Sequence, residues 1–277
     1  MSTRRVKLVA ATMLVALLAC PTAPAIRAAA GPPPAAILTA AADIGGGDAS
    51  GSPFRAPHSA TVGQLRTDRT SCTATVVESR SGSVAVTAAH CVHRPERSPM
   101  ELQPGAAGPL TVTGFVPGRD GDRAPFGSWP VERVEVDPRW AGSGEPTHDV
   151  AFLRLGEVEG RTVQAVVGAQ RIAFGAVPTG APMTTLGYPA AAPFDGRTLR
   201  RCSSPGVTVR RAAFGALQMR CAMTPGASGG PWLSGFDPAT GAGTVSAVTS
   251  FVDESNGLLS AVVLRPQARE LFDAAER

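Results

Sequence analysis

The segments TAAHC (87–91), HDVAFL (148–153) and GASGGPW (226–232) follow one another along this chain of 277 residues. They place a histidine, an aspartate and a serine in that order. A histidine base, an aspartate that orients it and a serine nucleophile form the triad of many acyl-transfer enzymes, and their order differs between unrelated folds. The trio therefore carries information about both chemistry and architecture.

Ser228 lies in a glycine-rich segment that suits a nucleophile. A serine hydroxyl needs an adjacent base, and flanking glycines let the backbone bend so that N–H groups can bind a developing oxyanion. The candidate donors are the N–H groups of Gly226 and Ser228. The segment also fits the Gly-x-Ser-x-Gly elbow of α/β-hydrolases, but those enzymes place the histidine after the serine, and none follows Ser228. A glycine-rich turn with an incidental serine is the alternative interpretation.

His90 is the candidate base. It ends a run of small residues, 84–89, and an imidazole with a near-neutral pKa can take the serine proton and later return it. The alternatives are a buried structural histidine or a metal ligand that acts with His93. The region offers too few further ligands for a metal site, so we predict no metal and no other cofactor.

Asp149 is the candidate orienting acid. It precedes the apolar run Val150–Leu155, and an aspartate at the mouth of such a strand can be buried against an imidazole. Other acids between His90 and Ser228 lie in Gly/Pro-rich stretches; they include Asp120, Asp122, Asp137 and Asp195. The alternative is a carboxylate in the turn before the strand.

The net charge of +4 does not indicate a nucleic-acid partner. Arg4, Arg5, Lys7 and Arg27 are the charged residues of 1–30 and account for the whole excess. The rest of the chain is close to neutral, so it lacks the basic surface that nucleic acids require.

The first 30 residues have the pattern of an export signal. A basic start is followed by the apolar run Leu8–Ala19, which is too short to span a bilayer, and by small-residue cleavage sites. The alternatives are a buried core helix and a lipoprotein signal in which Cys20 carries a lipid anchor at the cell surface. We expect a secreted protein without a membrane span, in which residues 31–59, rich in Pro, Ala and Gly, form a pro-segment or linker.

Four cysteines remain outside the signal, and an even number in an exported protein suggests disulfides. They are Cys72, Cys91, Cys202 and Cys221. Three pairings are open from the residues alone, and free buried thiols are the alternative.

Short apolar runs separated by Gly and Pro predict an all-β domain over 60–277. The candidate strands are Ala60–Arg66, Cys72–Glu78, Val84–Thr87, Leu110–Val116, Trp129–Val136, Val150–Leu155, Thr184–Tyr188, Gly206–Val209, Leu217–Cys221, Pro231–Leu233, Thr244–Phe251 and Leu258–Leu264. A looser pattern over Gly156–Gly168 predicts a linker between two β halves. Apolar residues at helical spacing predict a C-terminal helix over 266–276.

With these motifs in order, the chain resembles trypsin-like (chymotrypsin-fold) serine peptidases, and most closely their secreted actinobacterial branch. The resemblance covers about residues 60–265. It implies two packed six-stranded β-barrels, about 60–160 and about 168–265, with the site between them. It also implies His90 as general base, Asp149 as its orienter and Ser228 as nucleophile, with Gly226 and Ser228 forming the oxyanion hole.

The resemblance further implies the disulfides Cys72–Cys91 and Cys202–Cys221. By the same likeness Ser250, Phe251 and Val252 form the strand that pairs with substrate, with Ser250 also near Asp149. The remaining pocket residues are then Ala222, Met223 and Gly257.

Two positions depart from the animal enzymes of this family. Ala227 stands where an aspartate would pair with a new N-terminus, so the usual ion-pair activation is unsupported. Ala222 stands where trypsins hold an acid.

Thr249 stands where glutamate-specific relatives carry a histidine. Ala222 and Thr249 therefore favour a modest apolar pocket over one for basic or acidic side chains.

The sequence thus predicts a secreted, monomeric serine endopeptidase that hydrolyses protein or peptide substrates through an acyl-enzyme. The alternative is a non-catalytic binding or adhesion protein on the same fold. Such proteins usually lose a triad residue, whereas this chain keeps all three.

Overall fold

Two antiparallel β-sheets make up most of the described chain, which comprises residues 60–97, 106–210 and 215–277 of a computed structural model. The predicted export signal (1–30), with Cys20, and the predicted pro-segment or linker (31–59) lie outside the described residues.

The first sheet has six strands in the order β6-β1-β2-β3-β8-β7. Its strands are β1 (Val62–Thr67), β2 (Ser71–Val76), β3 (Val84–Thr87), β6 (Val112–Pro117), β7 (Val131–Val136) and β8 (Ala151–Leu155), and a separate pair is formed by β4 (His93–Arg94) and β5 (Gly108–Pro109). Phe115 of β6 and Trp129, just before β7, exchange backbone hydrogen bonds of 2.9 and 2.8 Å. These bonds join the two edge strands, so the sheet curls into a barrel.

The second sheet has eight strands in the order β11-β10-β14-β15-β16-β13-β12, with β9 parallel to β15. Its strands are β9 (Arg171–Ile172), β10 (Met183–Gly187), β11 (Arg200–Ser204), β12 (Thr208–Arg210), β13 (Ala216–Arg220), β14 (Pro231–Asp237), β15 (Ala242–Asp253) and β16 (Leu258–Val263). Six of them form the second barrel-like layer, to which the short strands β9 and β12 are added. The predicted all-β fold of two six-stranded barrels is confirmed.

Two disulfides tie distant parts of these sheets together, with the pairing that the resemblance implied. Cys72 of β2 bonds to Cys91 across a Cα–Cα distance of 6.1 Å. Cys202 of β11 bonds to Cys221, directly after β13, across 5.8 Å. The second bond therefore links the two ends of the six-strand layer β11-β10-β14-β15-β16-β13.

The described residues form three α-helices: α1 (Pro138–Ser143), α2 (Val163–Val167) and α3 (Ala268–Glu276). Helix α2 lies in the stretch 156–168, which the sequence predicted as a linker. Helix α3 confirms the predicted C-terminal helix, and it begins two residues later because Arg265 to Gln267 form a preceding turn. None of the helices in the described ranges has the length and apolar character needed to cross a membrane.

The alternation of side chains along each strand divides the core into three layers. In β3, Ala85 points into the first barrel, whereas Val84 and Val86 face the second sheet. Trp232 of β14 belongs to the interior of the second barrel. A strand that is buried on both faces therefore has few polar residues in its sequence, as β3 (VAVT, Val84–Thr87) shows.

Helix α3 closes the layer between the sheets through Phe272. This residue is 6% exposed, and its ring centroid lies 5.6 Å from that of Phe152 and 5.8 Å from that of Phe174. Offset and edge-to-face arrangements at such distances are favourable beyond the area they bury. The helix thus packs on the core between the two sheets.

We expect Phe272→Ala to lower the free energy of unfolding by about 3–5 kcal/mol, because it leaves a cavity among three packed rings. Glu270→Ala, exposed on the same helix, is the control and should change stability by less than about 0.5 kcal/mol. Urea denaturation followed by tryptophan fluorescence measures both. Equal effects of the two substitutions would contradict the assigned packing.

Candidate active site

His90 lies in a short 3₁₀ turn, Ala89–Cys91, that follows the buried strand β3. The Cys72–Cys91 disulfide fixes this turn to β2. The imidazole is 19% exposed, so it combines a buried edge with access to solvent. This placement suits a base that must meet a substrate at the surface.

Asp149 lies beside His90 because their strands are neighbours. Strand β3 pairs with β8, with Thr87 opposite Ala151, so the residues beyond these strand ends meet at one edge of the sheet. The carboxylate, 2% exposed, accepts hydrogen bonds of 2.8 Å from both the backbone N–H and Nδ1 of His90. A proton on Nδ1 is thereby favoured, and Nε2 is left as the free basic nitrogen.

Ser250 supplies the third hydrogen bond to Asp149, at 2.5 Å from its hydroxyl. The register between β15 and β16 shifts at this point, with Thr249 opposite Ala261 and Phe251 opposite Ser260. Ser250 is the extra residue of this bulge, and bulges commonly redirect a side chain. The bulge lets the second sheet contribute a donor to a carboxylate of the first.

The environment of His90 raises the pKa of its imidazole above the ordinary value of 6.5. Burial works against the charged form, but the charge of Asp149 and its hydrogen bond outweigh that penalty. An imidazolium at this position is therefore stabilised.

The backbone of residues 225–230 has almost all of its hydrogen bonds satisfied. The carbonyls of residues 225–228 accept from Ala190 N–H at 2.7 Å, the Thr73 hydroxyl at 2.9 Å, Gly230 N–H at 2.9 Å and Thr73 N–H at 2.8 Å. The N–H groups of Ala227, Gly229 and Gly230 also donate within the protein. Within the described ranges, those of Gly226 and Ser228 donate to no protein group, and these are the two donors expected of an oxyanion hole.

Glycine is required at two positions that flank Ser228. Gly226 has φ +105° and Gly229 has φ +81°, values that favour glycine. A methyl group at Gly229 would overlap the carbonyl oxygen of Thr73 and the Thr87 hydroxyl, and would lie 3.0 Å from the N atom of Ala88. The loop 225–230, here called the nucleophile loop after the predicted role of Ser228, is therefore in close contact with the strands that lead to His90.

The Ser228 side chain forms no hydrogen bond to His90 in the part of the chain that the structure describes, and the residue is 8% exposed. Such contacts are often loose without substrate and tighten when the reaction complex forms. The structure thus pairs His90 with Asp149 directly and brings the Ser228 loop against β2 and β3.

The predicted pocket residues lie in different surroundings. Ala222 is exposed, whereas Met223 is 1% exposed and belongs to the core of the second barrel. Phe251 is 42% exposed beside a partly buried Val252. Gly257 has φ +60°, and its carbonyl accepts a 3.0 Å hydrogen bond from Cys221 N–H, which ties two pocket segments together. Their contact with substrate stays a prediction.

Among the described residues, Cys72, His90 and Cys91 form a close group of metal-type donors. Both sulfurs are bonded to each other, so neither can act as a thiolate ligand. His93, the other ligand considered from the sequence, has a pKa lowered mainly by burial, and its Nδ1 has no hydrogen-bond partner within the described chain. This donor set does not suit a metal.

Thr73 is the residue of the site that the sequence reasoning missed. It is fully buried in β2, yet it contacts the backbone of the nucleophile loop on the other sheet. Its position between Cys72 and the rest of an apolar strand gave no sign of this contact, because only the packing of the two sheets creates it.

Two β-barrels, a buried Asp–His pair and a serine in a glycine-rich loop define the class of two-barrel serine hydrolases. A family model described as trypsin-like peptidase domain matches residues 72–237, more than half of the chain, so the protein belongs to the trypsin-like peptidase family. No curated protein matches the chain significantly.

Solved structures give the same classification. Protease Anisep from Arthrobacter nicotinovorans is 28% identical, with TM-score 0.66, over 78% of this chain and 95% of its own. The thermostable serine protease AL20, from an extremophilic microorganism, is 29% identical, with TM-score 0.68, over 79% of this chain and 98% of its own. The protein is a serine-type peptidase, and the Arthrobacter match agrees with the expected actinobacterial branch.

A Glu endopeptidase has TM-score 0.63 and 16% identity over 79% of this chain and 91% of its own. At this identity the likeness concerns the fold alone.

We expect the pKa of His90 to lie above 6.5 in the protein and to fall below 6.5 in Asp149→Asn. The substitution removes the charge that raises the pKa, while burial, which lowers it, remains. NMR titration of the His90 ring, assigned with His90→Gln, measures the change. Asp137→Asn is the control because Asp137 lies 3.9 Å from His148, not beside His90; an unchanged His90 pKa in Asp149→Asn would contradict the assignment.

Proposed function

We propose that this peptidase cleaves internal peptide bonds with His90, Asp149 and Ser228 as its triad, and that it is secreted. The observation that carries the proposal is the His90–Asp149 pair together with the N–H groups of Gly226 and Ser228, which donate to no protein group among the described residues. The His90–Asp149 pair would supply the base, and the two N–H groups would supply hydrogen bonds to the charge that develops on the substrate oxygen.

In the first half of the reaction, Ser228 Oγ attacks the scissile carbonyl while Nε2 of His90 takes the hydroxyl proton. The negative charge that forms on the carbonyl oxygen is bound by the N–H groups of Gly226 and Ser228, each worth about 2.7–4 kcal/mol of transition-state stabilisation. The proton on His90 then passes to the leaving nitrogen, and the peptide bond breaks to give an acyl-enzyme.

In the second half, water takes the place of the leaving amine. His90 removes a proton from the water as it attacks the ester carbonyl, and returns that proton to Ser228 Oγ. Asp149 stays ionised and holds Nδ1–H, so the imidazole keeps its orientation through both halves. The hydrogen bond from Ser250 supports the same carboxylate.

The pocket favours an apolar side chain in the substrate. Ala222 offers no carboxylate to a basic residue, and the next residue, Met223, is apolar and buried in the core of the second barrel. Thr249 uses its hydroxyl to accept a 3.0 Å hydrogen bond from the Trp232 ring, so it gives no cationic partner to an acidic residue. Phe251 and Val252, beside the bulge, would pair with the substrate backbone.

We also propose that residues 1–30 direct export and that 31–59 form a pro-segment or linker before the domain 60–277. The two disulfides support an oxidising compartment, since such bonds rarely persist in the cytosol. Ala227 is 1% exposed and has no carboxylate, so the ion pair by which animal relatives hold a new N-terminal amine is unsupported at this position.

A fluorophosphonate probe is expected to label the folded protein, and Ser228→Ala should abolish labelling because it removes the nucleophile. Ester hydrolysis should fall by at least about 10⁴-fold in the same variant. Ser203→Ala, at an exposed position in β11, is the control and should label fully. Labelling that survives Ser228→Ala would reject the triad, and an inert but folded wild type would favour the alternative of a binding protein.

Cleavage of a peptide library should occur after apolar residues, and Ala222→Asp should raise kcat/KM for Arg and Lys substrates by about tenfold or more. A charge-assisted hydrogen bond of about 1.5–3 kcal/mol supports this size. Ala222→Asn is the matched control, which adds a polar group without the charge. Equal gains in both variants, or a wild-type preference for Arg and Lys, would contradict the assigned pocket.

A further inference from the structure

Thr73 makes four hydrogen bonds at or beside the junction of the two sheets. Its N–H donates to the Ser228 carbonyl at 2.8 Å, and its hydroxyl donates to the Gly226 carbonyl at 2.9 Å. The hydroxyl also accepts from Tyr188 N–H at 2.9 Å, and the Thr73 carbonyl accepts from the Thr87 hydroxyl at 2.8 Å. No part of the side chain is exposed to solvent.

These partners fix the direction of the hydroxyl proton. The carbonyl of Gly226 can only accept and the N–H of Tyr188 can only donate, so the proton must point to Gly226. The hydroxyl therefore joins three segments: β2, the end of β10 and the nucleophile loop.

The groups that Thr73 holds flank the donors of the proposed oxyanion hole. Its two contacts fix the peptide units 226–227 and 228–229, which lie on either side of the unit that carries Ser228 N–H. The adjacent Cys72 is bonded to Cys91, the neighbour of His90. One short piece of β2 thus touches both the base and the nucleophile loop.

We propose that Thr73 is a positioning residue of the active site, whose hydroxyl sets the oxyanion-binding peptides against the strand that anchors His90. The proposal rests on the proposed peptidase function. Ala227 leaves the loop without a carboxylate and is buried close to Gly187, where an added methyl group would lie 3.0 Å from the Ala227 Cβ. A neutral hydroxyl holds the loop instead.

The decisive comparison is Thr73→Val against Thr73→Ser. Valine keeps the shape and the backbone N–H but removes the hydroxyl, whereas serine restores it. Thr75→Val is the matched control, because Thr75 is equally buried on the same strand and its hydroxyl has no partner within the described chain. Thr73→Ala serves in place of Thr73→Val if the latter does not fold.

For ester hydrolysis we expect Thr73→Val to lower kcat on the order of 10²-fold with little change in KM, because misplaced groups act on the transition state. Thr73→Ser and Thr75→Val should stay within about threefold of wild type. The midpoint of the pH profile should not move in Thr73→Val, since no charge changes near His90. A kcat for Thr73→Val within about threefold of wild type, or an equal loss in Thr75→Val, overturns the proposal.

A second measurement does not depend on activity. Amide hydrogen exchange at Ala227 and Gly229 should quicken by about tenfold or more in Thr73→Val but not in Thr75→Val, because local opening becomes easier. Unchanged exchange in Thr73→Val overturns the positioning role. If wild type is inert and Ser228→Ala makes no difference, the proposed function fails, while the exchange comparison still decides the role of Thr73.

Discussion

The hydrogen bond from Thr73 N–H to the Ser228 carbonyl, 2.8 Å long, crosses from the first sheet to the second and fixes their relation at the active site. The proposed triad is divided between the sheets: His90 and Asp149 lie at the ends of adjacent strands of one, and Ser228 precedes a strand of the other. A shift of about 1 Å between them would cost on the order of 10² in rate. The hydrogen bonds across the junction therefore fix the distance between the two halves of the site. Gly229 allows this close contact, because it has no side chain to meet Thr73 and Thr87.

Residues of both sheets donate hydrogen bonds to the carboxylate of Asp149. The carboxylate is almost fully buried, and an ionised group in such a place is costly unless it is paired and hydrogen-bonded. Two of its partners come from His90 and one comes from Ser250 on the second sheet. The bulge in β15 removes one regular pair between β15 and β16, and it directs the Ser250 hydroxyl toward the Asp149 carboxylate. A regular strand at Ser250 would leave the site with fewer donors.

Much of the fold could be predicted because alternating or continuous apolar runs report burial directly, as in β3 and β16. Strand β11 (Arg200–Ser204) was missed, since RRCSS has neither pattern and lies partly buried at the edge of its sheet, beside one neighbour. Motifs located His90, Asp149 and Ser228, because each sits in a local segment with its own signature. The role of Thr73 could not be predicted, since it depends on contacts with Gly226 and Tyr188, more than 100 positions away.

The neutral anchoring of the nucleophile loop follows from the residues around Ala227. A buried carboxylate at that position would need a cationic partner, and without one the loop would be destabilised by several kcal/mol. The small side chain removes this requirement, and backbone carbonyls with defined partners take over the task. Because hydrogen bonds between neutral groups do not titrate, the loop keeps its shape over the pH range in which His90 changes charge. In the proposed mechanism, the protonation of His90 and the geometry of the Gly226 and Ser228 N–H groups therefore depend on different parts of the sequence.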